Sequence, residues 1–229
     1  MWLAFLFLIA GSFVLVLYMR REHRRVKRWK NTLSLDKHFA VFQHLYANID
    51  GFALSKAERI QGDAFEYVYG EIEFESFIAL LSLGNPNSAT VFYDLGSGTG
   101  KAVLACAMVF NVKKSCGIEL FSSLYQTAEL QQGRLKELPD YFEKAKRIEF
   151  KKADILQTRF DEASLIFINA TGFFGDSWIA VSKSIEQIKS GSLVISTSKS
   201  LSSELFTCLR VTQVAMSWGI VNAFIQQRL

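Results

Sequence analysis

Histidine is scarce in this 229-residue chain and is confined to one end of it. All three histidines precede residue 45, so the long remainder has none. That remainder cannot use a Ser–His or Cys–His nucleophile, and it cannot build the usual imidazole metal site. We therefore expect no metal, and we favour a reaction that needs no strong proton shuttle.

Cysteine is also rare. Cys106, Cys116 and Cys208 are odd in number and have no Cys-x-x-Cys spacing, which argues against a disulfide framework or a zinc ribbon. Half of the residues are hydrophobic and 14% are aromatic, so the chain can bury a full core. The length suits one domain of ordinary size with a short appendage.

Basic residues are in excess in one short segment only. Seven cations and one acid between Arg20 and Lys30 carry +6, which leaves −2 for the rest of a chain whose formal net charge is +4. A domain without basic excess lacks the electrostatic footprint of a duplex binder. We therefore expect neither nucleic acid nor a nucleosome as its partner.

Charged side chains are absent from residues 1–19. Nineteen helical residues span about 28 Å, close to the ~30 Å hydrocarbon core of a bilayer. The cations follow this run, whereas those of a signal peptide precede it. We expect a transmembrane anchor over residues 1–19, with the N-terminus outside and the catalytic domain cytoplasmic. Residues 20–50 would form a basic juxtamembrane and linker helix, with membrane lipid contacted through residues 1–30.

From residue 88 onward, short β-rich runs alternate with helical patterns. This alternation predicts an α/β fold whose doubly wound sheet is mostly parallel, in a domain over residues 51–229. The predicted helices are Lys101–Phe110, Ser122–Leu138 and Ser177–Lys189. The predicted strands are Thr90–Leu95, Ser115–Leu120, Arg147–Lys151, Leu165–Asn169, Ser192–Ser196, Leu209–Ser217 and Val221–Arg228, the last two joined by a turn at Trp218-Gly219.

A glycine-rich segment, Asp94-Leu-Gly-Ser-Gly-Thr-Gly100, follows the first predicted strand and opens a helix. Such a turn lets a ligand approach the backbone at a helix N-terminus, and dinucleotide folds use it too. Asp94 would oppose a pyrophosphate and favour the cationic methionine moiety of S-adenosylmethionine. Glu119 ends the second strand, where its carboxylate can accept hydrogen bonds from both ribose hydroxyls. We favour a methyl-donor site over a nicotinamide site or a fold without a cofactor.

Polar residues also follow the third and fourth predicted strands. Asp154-Ile155 would contact the adenine amino group and ring, although Asp154 also suits a helix cap. Asn169 follows four apolar residues, so its buried amide must find partners. It either ties down a loop or faces the transferred methyl group. Phe173 and Phe174 suit an apolar acceptor channel, or they belong to the core.

Taken in order over residues 60–229, these segments resemble the catalytic domain of the disruptor-of-telomeric-silencing family, histone-lysine methyltransferases with a class I fold. Tyr67–Phe74 is similar to the family's loop before the first strand, whose Tyr-Gly-Glu folds over the donor. Ile168-Asn169 resembles its active-site segment, and 189–196 followed by Lys199 its fifth strand. The resemblance implies a seven-stranded class I methyltransferase fold and S-adenosylmethionine as donor. It implies donor contacts from Tyr69, Glu71, Asp94, Gly96, Ser97, Gly98, Gly100, Glu119, Asp154 and Ile155, and an acceptor channel shaped by Asn169 and Phe173.

The departures from this family concern the acceptor. Ala170 replaces a second asparagine, Ala223 and Phe224 replace tyrosines of the last strand, and no basic tail follows Leu229. A looser resemblance is to membrane-anchored mitochondrial lysine methyltransferases. We therefore predict a protein-lysine N-methyltransferase acting at a membrane surface. The alternatives are a methyltransferase for a quinone or lipid and an inactive anchored scaffold.

Overall fold

The structure, a computed structural model, describes residues 18–59 and 70–229. The chain divides into two compact units, Met1–Val41 and Phe42–Leu229. The predicted anchor over residues 1–19 lies almost wholly outside the described residues. Over the described ranges, no helix combines the length and the apolar character needed to cross a bilayer.

Seven strands form one sheet in the order β3-β2-β1-β4-β5-β7-β6. The first five strands along the chain pair in parallel, and β7 runs antiparallel to both of its neighbours. This confirms the predicted seven-stranded, mostly parallel α/β fold. The strands are β1 (Val91–Leu95), β2 (Lys114–Glu119), β3 (Ile148–Lys152), β4 (Leu165–Asn169), β5 (Leu193–Thr197), β6 (Phe206–Met216) and β7 (Gly219–Arg228).

Eight helices lie within the described ranges, and the prediction missed three of them. They are α1 (described over residues 18–32), α2 (Leu35–Tyr46), α3 (Gly51–Arg59), α4 (Phe74–Ser82), α5 (Lys101–Val109), α6 (Ser122–Lys136), α7 (Phe142–Ala145) and α8 (Gly175–Ile185). The single linker helix predicted over residues 20–50 is interrupted at Ser34, whose φ of 50° is left-handed. The missed helices α3 and α4 precede residue 88, where the predicted alternation begins, and the third, α7, has only four residues.

The centre of the sheet is apolar on both faces because helices cover both. All five residues of β1 are buried, and so are four of the five in β4. Strand order reverses between these two neighbours: the chain proceeds from β1 to β2 and β3 on one side, and from β4 to β5 on the other. Ligands of doubly wound folds bind at the carboxyl ends of strands at such a switch point. Leu95 pairs with Ile168 there, so Asp94, the second-last residue of β1, and Asn169, the last of β4, lie at the same edge of the sheet.

The turn after β1 is built from glycines in left-handed conformations. Gly96, Gly98 and Gly100 have φ values of 82°, 54° and 83°, a region that side chains disfavour. Gly100 precedes the first residue of α5, and a Cβ atom there would lie 2.6 Å from the Phe150 ring. Close packing of helix against sheet therefore requires glycine at this position.

Candidate active site

A cavity of about 240 Å³ opens at the carboxyl edge of the sheet. Ten of the twelve predicted site residues line it: Glu71, Asp94, Gly96, Ser97, Gly98, Glu119, Asp154, Ile155, Asn169 and Phe173. Gly100 does not line it and instead packs against Phe150 and Ala128. Tyr69 lies outside the described residues. The sequence segments that were expected to form one site are therefore brought together around one cavity.

Glu119 joins the end of β2 to the glycine turn. Its Oε2 accepts from the Gly98 amide at 2.7 Å, and its Oε1 accepts from the Phe121 amide at 2.9 Å. Burial raises the pKa of Glu119, and these backbone donors oppose the rise. Each carboxylate oxygen retains a second lone pair, which a ligand hydroxyl at the cavity can use.

Asp94 is a buried acid at the end of β1. No donor among the described residues hydrogen-bonds to its carboxylate, and burial raises its pKa well above the ordinary value, with the Glu119 charge adding to the rise. Nearby, the buried Ser97 hydroxyl has no hydrogen-bond partner in the described part of the chain. Buried polar groups without partners are rare in native proteins. Both line the cavity, and both suit a cationic, polar ligand.

Residues 70–73 form one wall of the cavity and are fastened to the turn between β6 and β7. Ile72 bridges to Met216, and Ser217 donates its amide to the Glu71 carbonyl at 2.8 Å. Gly70 lies beneath the Trp218 ring, where an added Cβ atom would approach a ring carbon to 1.9 Å. The last hairpin of the sheet therefore positions a segment that precedes the first strand.

An ion pair spans the cavity wall between this segment and α5. Lys101 Nζ lies 2.5 Å from Glu71 Oε2, with the two side chains 24% and 20% exposed. The same ammonium lies 5.3 Å from the centre of the Tyr46 ring, and the Tyr46 hydroxyl donates to the Thr99 carbonyl at 3.1 Å. One positive and one negative group thus line the cavity side by side.

Asp154 caps a short helical turn, which was the alternative role expected for it from the sequence. Its Oδ1 accepts from the Leu156 amide at 2.8 Å and caps a 3₁₀ turn over Ile155–Gln157. Asp154 and Ile155 also line the cavity, so capping leaves the second carboxylate oxygen for a ligand. The two interpretations are compatible.

Asn169 connects three segments. Its Oδ1 accepts from the Thr171 hydroxyl at 2.9 Å and from the Thr197 hydroxyl at 2.8 Å. Its Nδ2 donates to the Gly70 carbonyl at 3.0 Å. The amide oxygen is therefore engaged by the protein itself, which is the loop-fastening alternative, while one Nδ2 hydrogen is left over at the cavity.

Phe173, Phe167 and Val181 are apolar residues of the cavity lining. Phe173 also packs against the main hydrophobic core, and its ring centre lies 6.2 Å from that of Trp178.

The sequence did not predict Ser55, Lys101 and Phe121, which line the cavity as well. Lys101 and Phe121 directly follow predicted motifs and could have been found; Ser55 lies on the missed helix α3, where no local pattern marked it.

This sheet order, glycine turn and pair of strand-end acids define a class I S-adenosylmethionine-dependent methyltransferase fold. Two solved structures of that class bind S-adenosylhomocysteine. An RNA methyltransferase from Salinibacter ruber is 20% identical with a TM-score of 0.54, covering 67% of this chain and 90% of its own. Magnesium protoporphyrin IX methyltransferase from Synechocystis is 12% identical with a TM-score of 0.53, covering 89% and 98%. At these identities the likeness concerns the fold.

The chain belongs to the family of the histone methylation protein DOT1, whose family model matches residues 61–219. Two curated relatives are named histone-lysine N-methyltransferase, H3 lysine-79 specific. The protein from Caenorhabditis elegans is 32% identical over 136 residues, 56% of this chain and 14% of its own length. That from Kluyveromyces lactis is 29% identical over 137 residues, 57% and 24%. The chain thus spans less than a quarter of these relatives. The predicted class of enzyme and methyl donor are confirmed.

The predicted localisation, a single-pass membrane protein with a cytoplasmic catalytic domain, is wrong. The family is one of histone methylation proteins, and histones are packaging proteins of DNA. The comparisons give no support to the membrane-anchored form of the family or to lipid as a partner. An uncharged run followed by cations meets the hydropathy criterion for an anchor, but hydropathy does not report the surface on which the adjoining domain acts.

Proposed function

We propose that the chain is a histone-lysine N-methyltransferase that uses S-adenosylmethionine. The observation that carries the proposal is the placement of Asp94, Glu119 and the glycine turn around one cavity that apolar residues also line. The family supplies the acceptor class, which replaces the membrane protein expected from sequence. The proposed catalytic domain keeps the predicted bounds of residues 51–229.

The donor occupies the polar half of the cavity in this proposal. Asp94 attracts the positively charged methionine portion, because a buried carboxylate without a protein donor is stabilised by an adjacent cation. The oppositely charged Glu71 and Lys101 complement an amino-acid head group, which carries one charge of each sign. The Glu119 carboxylate accepts hydrogen bonds from the ribose hydroxyls, and Asp154 and Ile155 contact the adenine.

The acceptor amine enters along the apolar half. When bound, the donor supplies a sulfonium methyl group that is ready for in-line displacement. Phe167, Phe173 and Val181 exclude water and disfavour the charged form of an entering lysine, which lowers the pKa of that lysine. The neutral amine is the nucleophile, so these walls favour the reactive form. Alignment of the two reactants accounts for the remaining catalysis, and no histidine is required.

The test uses the full chain with labelled S-adenosylmethionine and three acceptors: reconstituted nucleosomes, free histones, and an extract of lipids and quinones. We expect label on a histone lysine, located by mass spectrometry. The matched control is Glu119→Ala, which should bind the donor about 10-fold or more weakly, because hydrogen bonds to a charged group contribute ~1.5–3 kcal/mol. Label confined to the extract would replace the proposal with a small-molecule methyltransferase. Failure of the parent to bind the donor in calorimetry would overturn it entirely.

A further inference from the structure

We propose that Lys199 is a positioning residue that fixes the acceptor side of the cavity. The inference rests on the proposed function and assigns a role to a lysine outside the cavity lining. Lys199 lies in the clamp segment, residues 197–199, which begins at the last residue of β5. It contacts the acceptor loop, residues 169–174, which begins at the last residue of the neighbouring strand β4 and contains Phe173.

The Lys199 ammonium has three contacts with the acceptor loop. It donates to the Ala170 carbonyl at 3.1 Å and also to the Phe173 carbonyl. It lies 4.0 Å from the centre of the Phe174 ring, a cation–π distance. The backbone of Lys199 is itself fixed, since the Ser196 hydroxyl donates to its carbonyl at 2.7 Å. One cation therefore holds both ends of the 3₁₀ turn that sets Phe173 in the cavity wall.

The other residues of the clamp segment also form hydrogen bonds with the acceptor loop. Thr197 donates its hydroxyl to Asn169 at 2.8 Å, and the Ser198 hydroxyl lies 2.9 Å from that of Thr171. Ser198 has a φ of 67°, a left-handed conformation that is unfavourable for serine. Its amide donates to the Asn222 carbonyl at 2.7 Å, which holds that conformation. Backbone strain of this kind persists where the surroundings impose it, often beside functional sites.

The contacts of the Lys199 ammonium act on one part of the cavity lining. All three reach the acceptor loop, whereas Asp94 and Glu119 lie on β1 and β2, and Glu119 is bonded to the glycine turn. Loss of the Lys199 ammonium should therefore loosen Phe173 while Asp94 and Glu119 stay in place. A misplacement of about 1 Å can reduce turnover 10²-fold, so the loss should appear in turnover and not in donor affinity.

The experiment compares three variants of the full chain. Lys199→Met keeps the length of the side chain and removes its donors; Lys199→Arg keeps the charge and the donors. Lys136→Met, at the exposed far end of α6, is the matched control. Three quantities are measured for each variant. Donor affinity is obtained by calorimetry, and kcat and KM are obtained with nucleosomes as the acceptor. The third is the hydrogen-exchange rate of the acceptor-loop amides. The Phe173 amide, bonded to the Ala170 carbonyl at 3.2 Å, is the most informative.

For Lys199→Met we expect faster exchange in the acceptor loop and a kcat about 10- to 100-fold lower, with donor affinity within about twofold of the parent. Lys199→Arg should recover most of the kcat, and Lys136→Met should match the parent. If Lys199→Met does not fold, Thr171→Val removes the hydroxyl contacts with Ser198 and Asn169 and should give the same pattern. Unchanged exchange in the loop would overturn the inference, as would donor affinity falling in parallel with kcat. A parent that binds no donor would instead overturn the proposed function.

Discussion

The two halves of the cavity are built in different ways. On the donor side the backbone contributes most of the structure: three left-handed glycines form the turn, and two main-chain amides hold the Glu119 carboxylate, while Asp94 is buried without such a donor among the described residues. On the acceptor side, side chains make the connections: Lys199 donates to the backbone of the acceptor loop, and Thr197 donates to the Asn169 side chain. The glycine turn thus depends on backbone conformations that are local in sequence, whereas the acceptor loop is held by residues almost thirty positions away.

A donor site and an acceptor site therefore have different structural requirements. A donor common to many enzymes can be held by a short motif, because glycine conformation and acid placement depend on local geometry. An acceptor wall depends on which loops the strand order brings together. Asn169 pairs with Thr197 only because β4 and β5 are neighbours in that register.

The largest effect should come from a contrast within the donor side, Gly100→Ala against Gly96→Ala. Both glycines have a φ near 80°, which costs any side chain about 1–2 kcal/mol. The Cβ atom at 100 would also lie 2.6 Å from Phe150 and 2.8 Å from Ala128, whereas that at 96 meets nothing within 4 Å. Overpacking adds about 1–3 kcal/mol.

Gly100→Ala should therefore lower the melting temperature by several degrees more than Gly96→Ala, at about 2–4 °C per kcal/mol for a chain of this size. Gly96→Ala should chiefly weaken donor binding, because its methyl group would enter the cavity. Thermal unfolding and calorimetry on both variants separate the two roles. Equal melting temperatures would mean that the packing at Gly100 adapts to the methyl group.

Much of this organisation could be predicted from the sequence. The parallel strands of the sheet were predicted within one or two residues because short apolar runs alternate with helical periods. The donor acids were found because Asp94 and Glu119 stand at strand ends. The clamp on the acceptor loop was not found, since no local pattern marks contacts between 169–174 and 197–199. Helices α3 and α4 were missed because they precede the alternation of strands and helices, and α7 because four residues are too few to show a helical period.

A second prediction concerns charge on the donor side. Asp94→Asn keeps the shape of the side chain and removes the charge proposed to attract the donor. Donor affinity should fall about 10- to 100-fold, the equivalent of ~1.5–3 kcal/mol for an interaction with a charged group. Without donor, the variant should be at least as stable as the parent near neutral pH, because burying the ionised carboxylate is unfavourable. A loss of stability equal to the loss of affinity would assign Asp94 a structural role instead.

The same acid gives donor binding a pH dependence with a defined sign. Its pKa in the folded chain is raised well above the ordinary 3.8 by burial and then by Glu119. Folding therefore favours the protonated form, and the stability this contributes is lost as pH rises through the raised pKa. The ionised form attracts the donor, so parental affinity should rise with pH over that window, above about pH 4. Asp94→Asn should lack this component when both are titrated across the same buffers.

The smallest expected effect lies at the ion pair between Lys101 and Glu71. Both side chains are mostly but not fully buried, so solvent weakens the pair, and we assign it about 1 kcal/mol, the upper end for accessible pairs. If the pair serves the donor, Lys101→Met and Glu71→Gln should each weaken donor binding about fivefold, and the double variant should lose less than the two single losses combined. This double-mutant cycle isolates the pairwise interaction.

Lys113→Met, an exposed lysine outside the cavity lining, is the control for removal of a positive charge. Additive losses would mean that each residue meets the donor independently of the other. Affinities equal to the parent in both single variants would mean that the pair only fastens residues 70–73 to α5, and the donor side would then rest on the glycine turn and its two acids.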